Sequence, residues 1–164
     1  MLRNPLLLLA TALLLTACGF QLRGSALLPY QTLHVAAPGT SHFATAFRRT
    51  ITSGTQTRVV DSVREAQATL HVVNEFREKS ILSLSGGGRV REVQLSYRVI
   101  YRLTDSSNRE LRPLTQIALH RDLSTNDTDT LSKESEEALL YREMQSDAVS
   151  QLLRQLQAVA PVAR

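Results

Sequence analysis

Apolar and polar residues alternate most regularly between positions 93 and 103. Val93, Leu95, Tyr97, Val99, Tyr101 and Leu103 share one parity, and Gln94, Ser96, Arg98 and Arg102 the other, with Ile100 the exception. A period of two sends successive side chains to opposite faces of a strand, so this stretch predicts a strand with one buried face. Upstream, the even positions Ala68, Leu70, Val72, Phe76, Leu82 and Leu84 predict a second long strand over 68–85, with Thr69, His71, Glu75, Arg77 and Lys79 on its polar face. Polar Asn74 and Ser80 interrupt the apolar row and mark places for a bulge. Between the two strands Gly86-Gly87-Gly88 provides a hairpin turn, because glycine tolerates the positive φ that tight turns use. After Asp105-Ser106-Ser107-Asn108, Leu111 to Leu123 predicts the third strand of a meander, with Ile117 and Leu119 inward. Pro113 confines the start of that strand to an edge or a pre-strand position.

Two stretches carry a helical period instead. Phe43, Phe47 and Ile51 recur at i, i+4 and i+8, with Thr40 or Ser41 as N-cap and Gly54 as the stop. From Leu131 to Ala160, Tyr141, Met144, Ala148, Leu152, Leu156 and Val159 form an apolar stripe widened by Val149 and Leu153. Asn126, Asp127 and Asp129 are competent caps before it, and Pro161 ends it. Glu134, Glu136 and Glu137 near its start and Arg154 near its end match the helix dipole. Leu33 and Val35 mark a short strand within Tyr30–Ala37, closed by Pro38-Gly39. Thr57 to Val60 reads equally well as a brief strand or an extended connection. Together these faces predict an α+β fold: a two-layer sandwich whose mostly antiparallel sheet of about four strands is covered on one face by two helices.

The N-terminal end follows another logic. Arg3 is a short charged region, and Leu6 to Leu15 is an apolar run of signal-peptide length, well below the about 20 residues that span a bilayer. Leu15-Thr16-Ala17-Cys18 closes it, and Cys18 is the sole cysteine of the chain. Leucine, two small residues and cysteine resemble the lipobox of bacterial lipoproteins, in which the leader is cut before the cysteine and the thiol carries diacylglycerol. An ordinary secretory leader followed by an incidental cysteine is the plainer alternative. A thioether explains the absence of a second cysteine, since a lone thiol is a liability in an oxidising compartment. The expected organisation is a lipoprotein signal peptide over 1–17, a lipidated tether over 18–29 and one domain over 30–164. Gly19, and not aspartate, follows the cysteine, which in lipoprotein sorting favours the outer membrane. Several acyl chains anchor durably where one is marginal.

Composition and charge narrow the function. A formal net charge of +4, with no basic run longer than Arg48-Arg49, argues against a nucleic-acid partner. His34, His42, His71 and His120 lie in separate elements without metal-ligand spacing, and the glycine triplet leads into a strand and not into a helix N-terminus. No catalytic residue, metal site or cofactor is expected. Binding is the better class. Arg89 and Arg91 flank the glycine turn and share the parity of the apolar face, so the tip would present two guanidinium groups beside aliphatic surface, suited to an anionic amphiphile. Two solvated arginines that discourage edge-to-edge pairing are the competing reading. Lys133 stands at the start of the last helix, where the dipole disfavours a cation. Either an external anion or a salt bridge to Glu136 or Glu137 accounts for it.

Cys18-Gly19-Phe20-Gln21-Leu22-Arg23-Gly24 resembles the mature start of the LptE (RlpB) family of lipopolysaccharide-assembly lipoproteins. So does Leu131-Ser-Lys-Glu-Ser-Glu-Glu-Ala-Leu-Leu-Tyr-Arg-Glu-Met, followed by Asp147-Ala148 and Leu152-Leu153-Arg154-Gln155-Leu156. The order of elements fits along the whole mature chain. The resemblance implies an outer-membrane lipoprotein, anchored by acyl chains to the periplasmic leaflet, that plugs and helps assemble the LptD β-barrel and binds lipopolysaccharide. In that family the basic lipopolysaccharide contacts lie on the hairpin loop and at the head of the last helix. Lys133 matches the second place, and Arg89 and Arg91 lie near the first. The alternatives from other classes are a free-standing periplasmic lipoprotein that carries or senses an anionic lipid, and a structural envelope lipoprotein without lipid cargo.

Overall fold

A computed structural model describes residues 27–124 and 130–159. The signal peptide, Cys18, most of the tether, the caps Asn126, Asp127 and Asp129, and Pro161 lie outside the described residues. Strands β1 (Thr32–Ala36), β2 (Arg58–Val60), β3 (Ala68–Leu84), β4 (Val90–Asp105) and β5 (Glu110–Ser124) form one sheet in the order β2-β1-β3-β4-β5. Helix α1 (His42–Gly54) connects β1 to β2, and α2 (Thr130–Gln157) follows β5. The α+β sandwich is as expected, with one strand more than the four anticipated. Arg58–Val60 pairs in parallel with Thr32–His34, which settles the open reading of that segment in favour of a strand. β1 also runs parallel to β3, so a mixed edge adjoins the long antiparallel meander β3-β4-β5.

Each helix is set by its sequence and its cap. Ser41 caps α1, its hydroxyl accepting from the Ala44 amide at 3.0 Å. Gly54 is the last helical residue and has no left-handed backbone. The helix stops because Thr55 turns to an extended conformation, its amide still donating to the Ile51 carbonyl. Phe43, Phe47 and Ile51 of α1 and Met144, Ala148, Leu152 and Leu156 of α2 are fully enclosed, in one core with Leu33, Val35, Leu70 and the odd-numbered face of β4. The helical and strand periods of these elements therefore point where the sequence placed them. Tyr101 of β4 also donates its hydroxyl to Gln155 of α2, so a polar contact joins sheet and helix at the far end of the core.

β3 carries the bulge expected near Asn74, and what departs from expectation is the burial of its two faces beyond that point. Val72 pairs with Tyr101 but Asn74 pairs with Ile100, so Val73 is an extra residue that bulges outward and is exposed. One inserted residue exchanges the two faces of everything beyond it. Ala68, Leu70 and Val72 face the core, but past the bulge Glu75, Arg77 and Lys79 stand opposite Val99, Tyr97 and Leu95 on the helix side. Phe76, expected in the buried row, lies instead opposite Arg98 on the other face, where the guanidinium covers its ring at 5.2 Å.

The exchange is productive because the helix side offers partners for charged groups. Glu75 reaches the N-terminus of α1, where one carboxylate oxygen accepts from the Ser41 hydroxyl at 2.8 Å and the Phe43 amide at 3.1 Å. Its other oxygen accepts from the Tyr97 hydroxyl at 2.7 Å. Burial, that hydrogen bond and the carboxylate's charge together push the Tyr97 phenol far above its ordinary range, against an opposing pull from Arg77. Arg77 lies between the rings of Tyr97 and Tyr141, at 5.8 and 5.5 Å from their centroids.

Candidate functional site

The β3–β4 hairpin extends past the region the helices cover. Its turn closes through Ser85 and Arg89: the Ser85 amide donates to the Arg89 carbonyl at 2.7 Å, and the Gly88 amide to the Ser85 carbonyl at 2.9 Å. Of the three glycines only Gly88 uses the left-handed region, at φ +77°. This is the three-residue loop that ends in a left-handed residue. The β4–β5 hairpin repeats it with Asn108 at φ 60°, the Asp105 amide donating to the Arg109 carbonyl.

Two further irregularities shape the tip. Ile81 pairs with Val93, Ser83 with Glu92 and Leu84 with Val90, which leaves Leu82 and Arg91 outside the pairing. Arg91 therefore does not continue the alternation of Val93 to Leu103, and the shared parity expected for Arg89 and Arg91 is not kept. Both arginines are exposed. Beside them stand Ile81, Leu82 and Leu84, exposed by 60, 49 and 56 %. A period of two assigns Leu82 and Leu84 to the buried row. What exposes them is the combination of register shifts and the end of helical cover.

The head of α2 comes to the same end of the molecule. Arg77 donates to Gln145, Lys79 pairs with Glu137 at 2.6 Å, and Tyr141 donates its hydroxyl to the Glu78 carbonyl at 2.8 Å. As β3 advances towards the turn, its partners on α2 step back towards that helix's N-terminus. Lys133 is one turn further back than Glu137, about 6 Å along the axis, and so lies towards the tip. Its ammonium pairs with Glu136 at 3.0 Å, the simpler of its two readings. Such an exposed pair is worth at most about 1 kcal/mol, so it is readily exchanged for a stronger anion. The site is thus an aliphatic tip with Arg89 and Arg91 at its turn and Lys133 on the flanking helix.

Elsewhere the described surface mixes polar pairs with single exposed apolar side chains such as Val63 and Leu114. On the sheet face away from the helices, Gln94 donates to Asp122, Arg98 pairs with Glu78, and His71 lies within 3.1 Å of the Thr104 hydroxyl. Burial, then the charges of Arg102 and His34, lower the His71 pKa below its usual value. Among the described residues no helix is long and apolar enough to cross a membrane.

Fold and site define a small two-layer α+β domain with a cationic, partly aliphatic hairpin. The family model for lipopolysaccharide assembly, LptE, matches residues 30–156. The chain belongs to that family. It is 30 % identical to the LPS-assembly lipoprotein LptE of Yersinia pestis (strain Pestoides F), over 93 % of this chain and 75 % of the relative. The solution structure of lipoprotein B from Nitrosomonas europaea is similar at 42 % identity, with a TM-score of 0.76 over 85 % of this chain and 91 % of that one. Rare lipoprotein B from Shewanella oneidensis shares the fold, with a TM-score of 0.67 at 23 % identity over 76 % and 92 % of the two chains. The family's work is lipopolysaccharide transport in assembly of the outer membrane.

Proposed function

We propose that this protein is the lipid-anchored plug and assembly partner of an LptD-type outer-membrane β-barrel, and that it holds lipopolysaccharide at the hairpin tip through Arg89, Arg91 and Lys133. Acyl chains on Cys18 fasten it to the periplasmic leaflet. The observation that carries the reading is the exposure of Ile81, Leu82 and Leu84 beside the turn of Arg89 and Arg91, with α2 packed along β3 so that its head, which holds Lys133, runs towards the same end. Aliphatic side chains suit acyl chains. Guanidinium forks and an ammonium suit the phosphates of the headgroup. The polar outer face of the sheet suits a barrel lumen, which is itself polar.

The test has two parts. Arg89→Gln, Arg91→Gln and Lys133→Gln combined are expected to weaken lipopolysaccharide binding roughly tenfold or more, since each charge-assisted contact is worth about 1.5–3 kcal/mol. Unchanged binding defeats the cargo role. Purification from detergent-solubilised envelope is expected to yield a one-to-one complex with a large barrel protein. Recovery as a monomer would favour the free-standing lipid carrier instead.

A further inference from the structure

A second concentration of positive charge lies away from the hairpin tip, and the function above does not use it. Helices α1 and α2 border a groove of about 590 Å³ with Arg77 of β3 at one end. Arg49 enters it from α1 and Arg142 from α2, joined by His42 and the hydroxyls of Thr45, Ser146 and Ser150. Among the described residues no carboxylate lines it. Three acidic groups on the bordering elements are committed elsewhere, Glu75 to Ser41, Phe43 and Tyr97, Asp147 to Arg121, and Glu137 to Lys79, while Glu143, next to Arg142 in the chain, is exposed and outside the lining. Gln145 braces the groove, donating to the His42 carbonyl at 3.0 Å and accepting from Arg77 at 3.2 Å. Arg77 is further fixed by its two tyrosine rings. Arg49 and Arg142 are exposed, and neither side chain has an ion pair or hydrogen bond among the described residues.

Arg77 also borders Glu75 and Glu137 outside the groove, but Arg49 and Arg142 have no counter-ion among the described residues, and an external anion would supply one. We infer that the α1–α2 groove is a phosphate-binding site for a phosphorylated sugar. Its volume falls within the roughly 300–1,000 Å³ typical of small-molecule sites. Among the described residues its apolar lining is Ala46 and Val149, too little to hold an acyl chain. Planar guanidinium forks grip phosphate oxygens at two points, and the hydroxyls match a sugar's own. The phosphorylated sugar comes either from the headgroup of a glycolipid or from a free sugar phosphate.

Calorimetric titration of the full-length lipidated protein in non-ionic detergent at low salt, with glucose 6-phosphate and with glucose, tests the inference. Glucose 6-phosphate is expected to bind and glucose is not. Arg49→Gln with Arg142→Gln is expected to weaken binding about tenfold or more. Arg89→Gln with Arg91→Gln is expected to leave it unchanged. Both groove substitutions are at exposed positions whose side chains have no partner among the described residues, so a thermal-unfolding curve like that of the wild type is expected. Equal binding of glucose and its phosphate, or an unaltered affinity in the groove variant, overturns the inference. To separate the two sources, native and enzymatically dephosphorylated lipopolysaccharide are compared on protein whose tip cations are all replaced by glutamine. Phosphate-dependent binding there assigns the groove to the glycolipid. Binding confined to glucose 6-phosphate assigns it to a free sugar phosphate. The tip proposal stands or falls separately, on its own three residues.

Discussion

Replacing Glu75 by alanine probes the reversal of faces in β3, because that carboxylate reaches the helix side only through the bulge at Val73. The substitution removes three accepted hydrogen bonds, from the Ser41 hydroxyl, the Phe43 amide and the Tyr97 hydroxyl. Tyr97 is wholly buried, so its hydroxyl loses its partner where water does not readily replace it. An orphaned buried hydroxyl costs about 1–3 kcal/mol. Losing a negative charge from the first turn of α1 adds about 0.3–1 kcal/mol. Glu75 is partly exposed, and solvent softens the remainder, so the expected destabilisation is about 2–3 kcal/mol. Glu75→Gln keeps an acceptor of the same reach and is expected to lose roughly half as much. Urea unfolding followed by circular dichroism supplies the measurement, with the midpoint expected to fall at unchanged slope. Combining Glu75→Ala with Tyr97→Phe closes a double-mutant cycle, in which the pair is expected to couple by at least about 1 kcal/mol. A loss below about 0.5 kcal/mol for Glu75→Ala, or strict additivity in the cycle, would refute the reasoning.

Gly88→Ala forces a left-handed residue on a side chain and is expected to cost about 1 kcal/mol, whereas Gly86→Ala, with open space and ordinary backbone, is expected to be nearly neutral in the same unfolding assay. At Asp105 burial raises the carboxyl pKa, but hydrogen bonds from the Arg109 amide and guanidinium and from the Ser107 amide, with the Arg109 charge, outweigh it and hold the group below its ordinary value. Its contribution is therefore complete at neutral pH and fades as pH falls through that depressed value, so Asp105→Asn should flatten the acid limb of stability measured against pH. Cys18→Ala is expected to release the protein from membranes with its domain folded, as fractionation and circular dichroism would report. Equal partitioning of variant and wild type would count against the anchor.

Much of the fold was legible because it rests on local periodicity. The alternation in 93–103 and the apolar stripe from Tyr141 to Leu156 each specify one buried face, whichever neighbours supply the rest of the core. The candidate site was legible in part. Lys133 and the glycine turn were visible as residues, and the exposure of Ile81, Leu82 and Leu84 was not, because it depends on where helical cover ends.

The amino-acid order alone thus determined the element types, the meander and the leader motif, since each is written in neighbouring residues. Tertiary structure decided the pairing of Arg58–Val60, the exchange of faces after Val73 and the gathering of Arg49, Arg77 and Arg142. A three-residue strand has no period of its own, and its parallel partner lies more than twenty residues away in the chain. A bulge is settled by what each register buries, and here the α1 N-terminus and Tyr97 give Glu75 partners on the helix side. Three arginines from three separate elements become neighbours only when those elements pack.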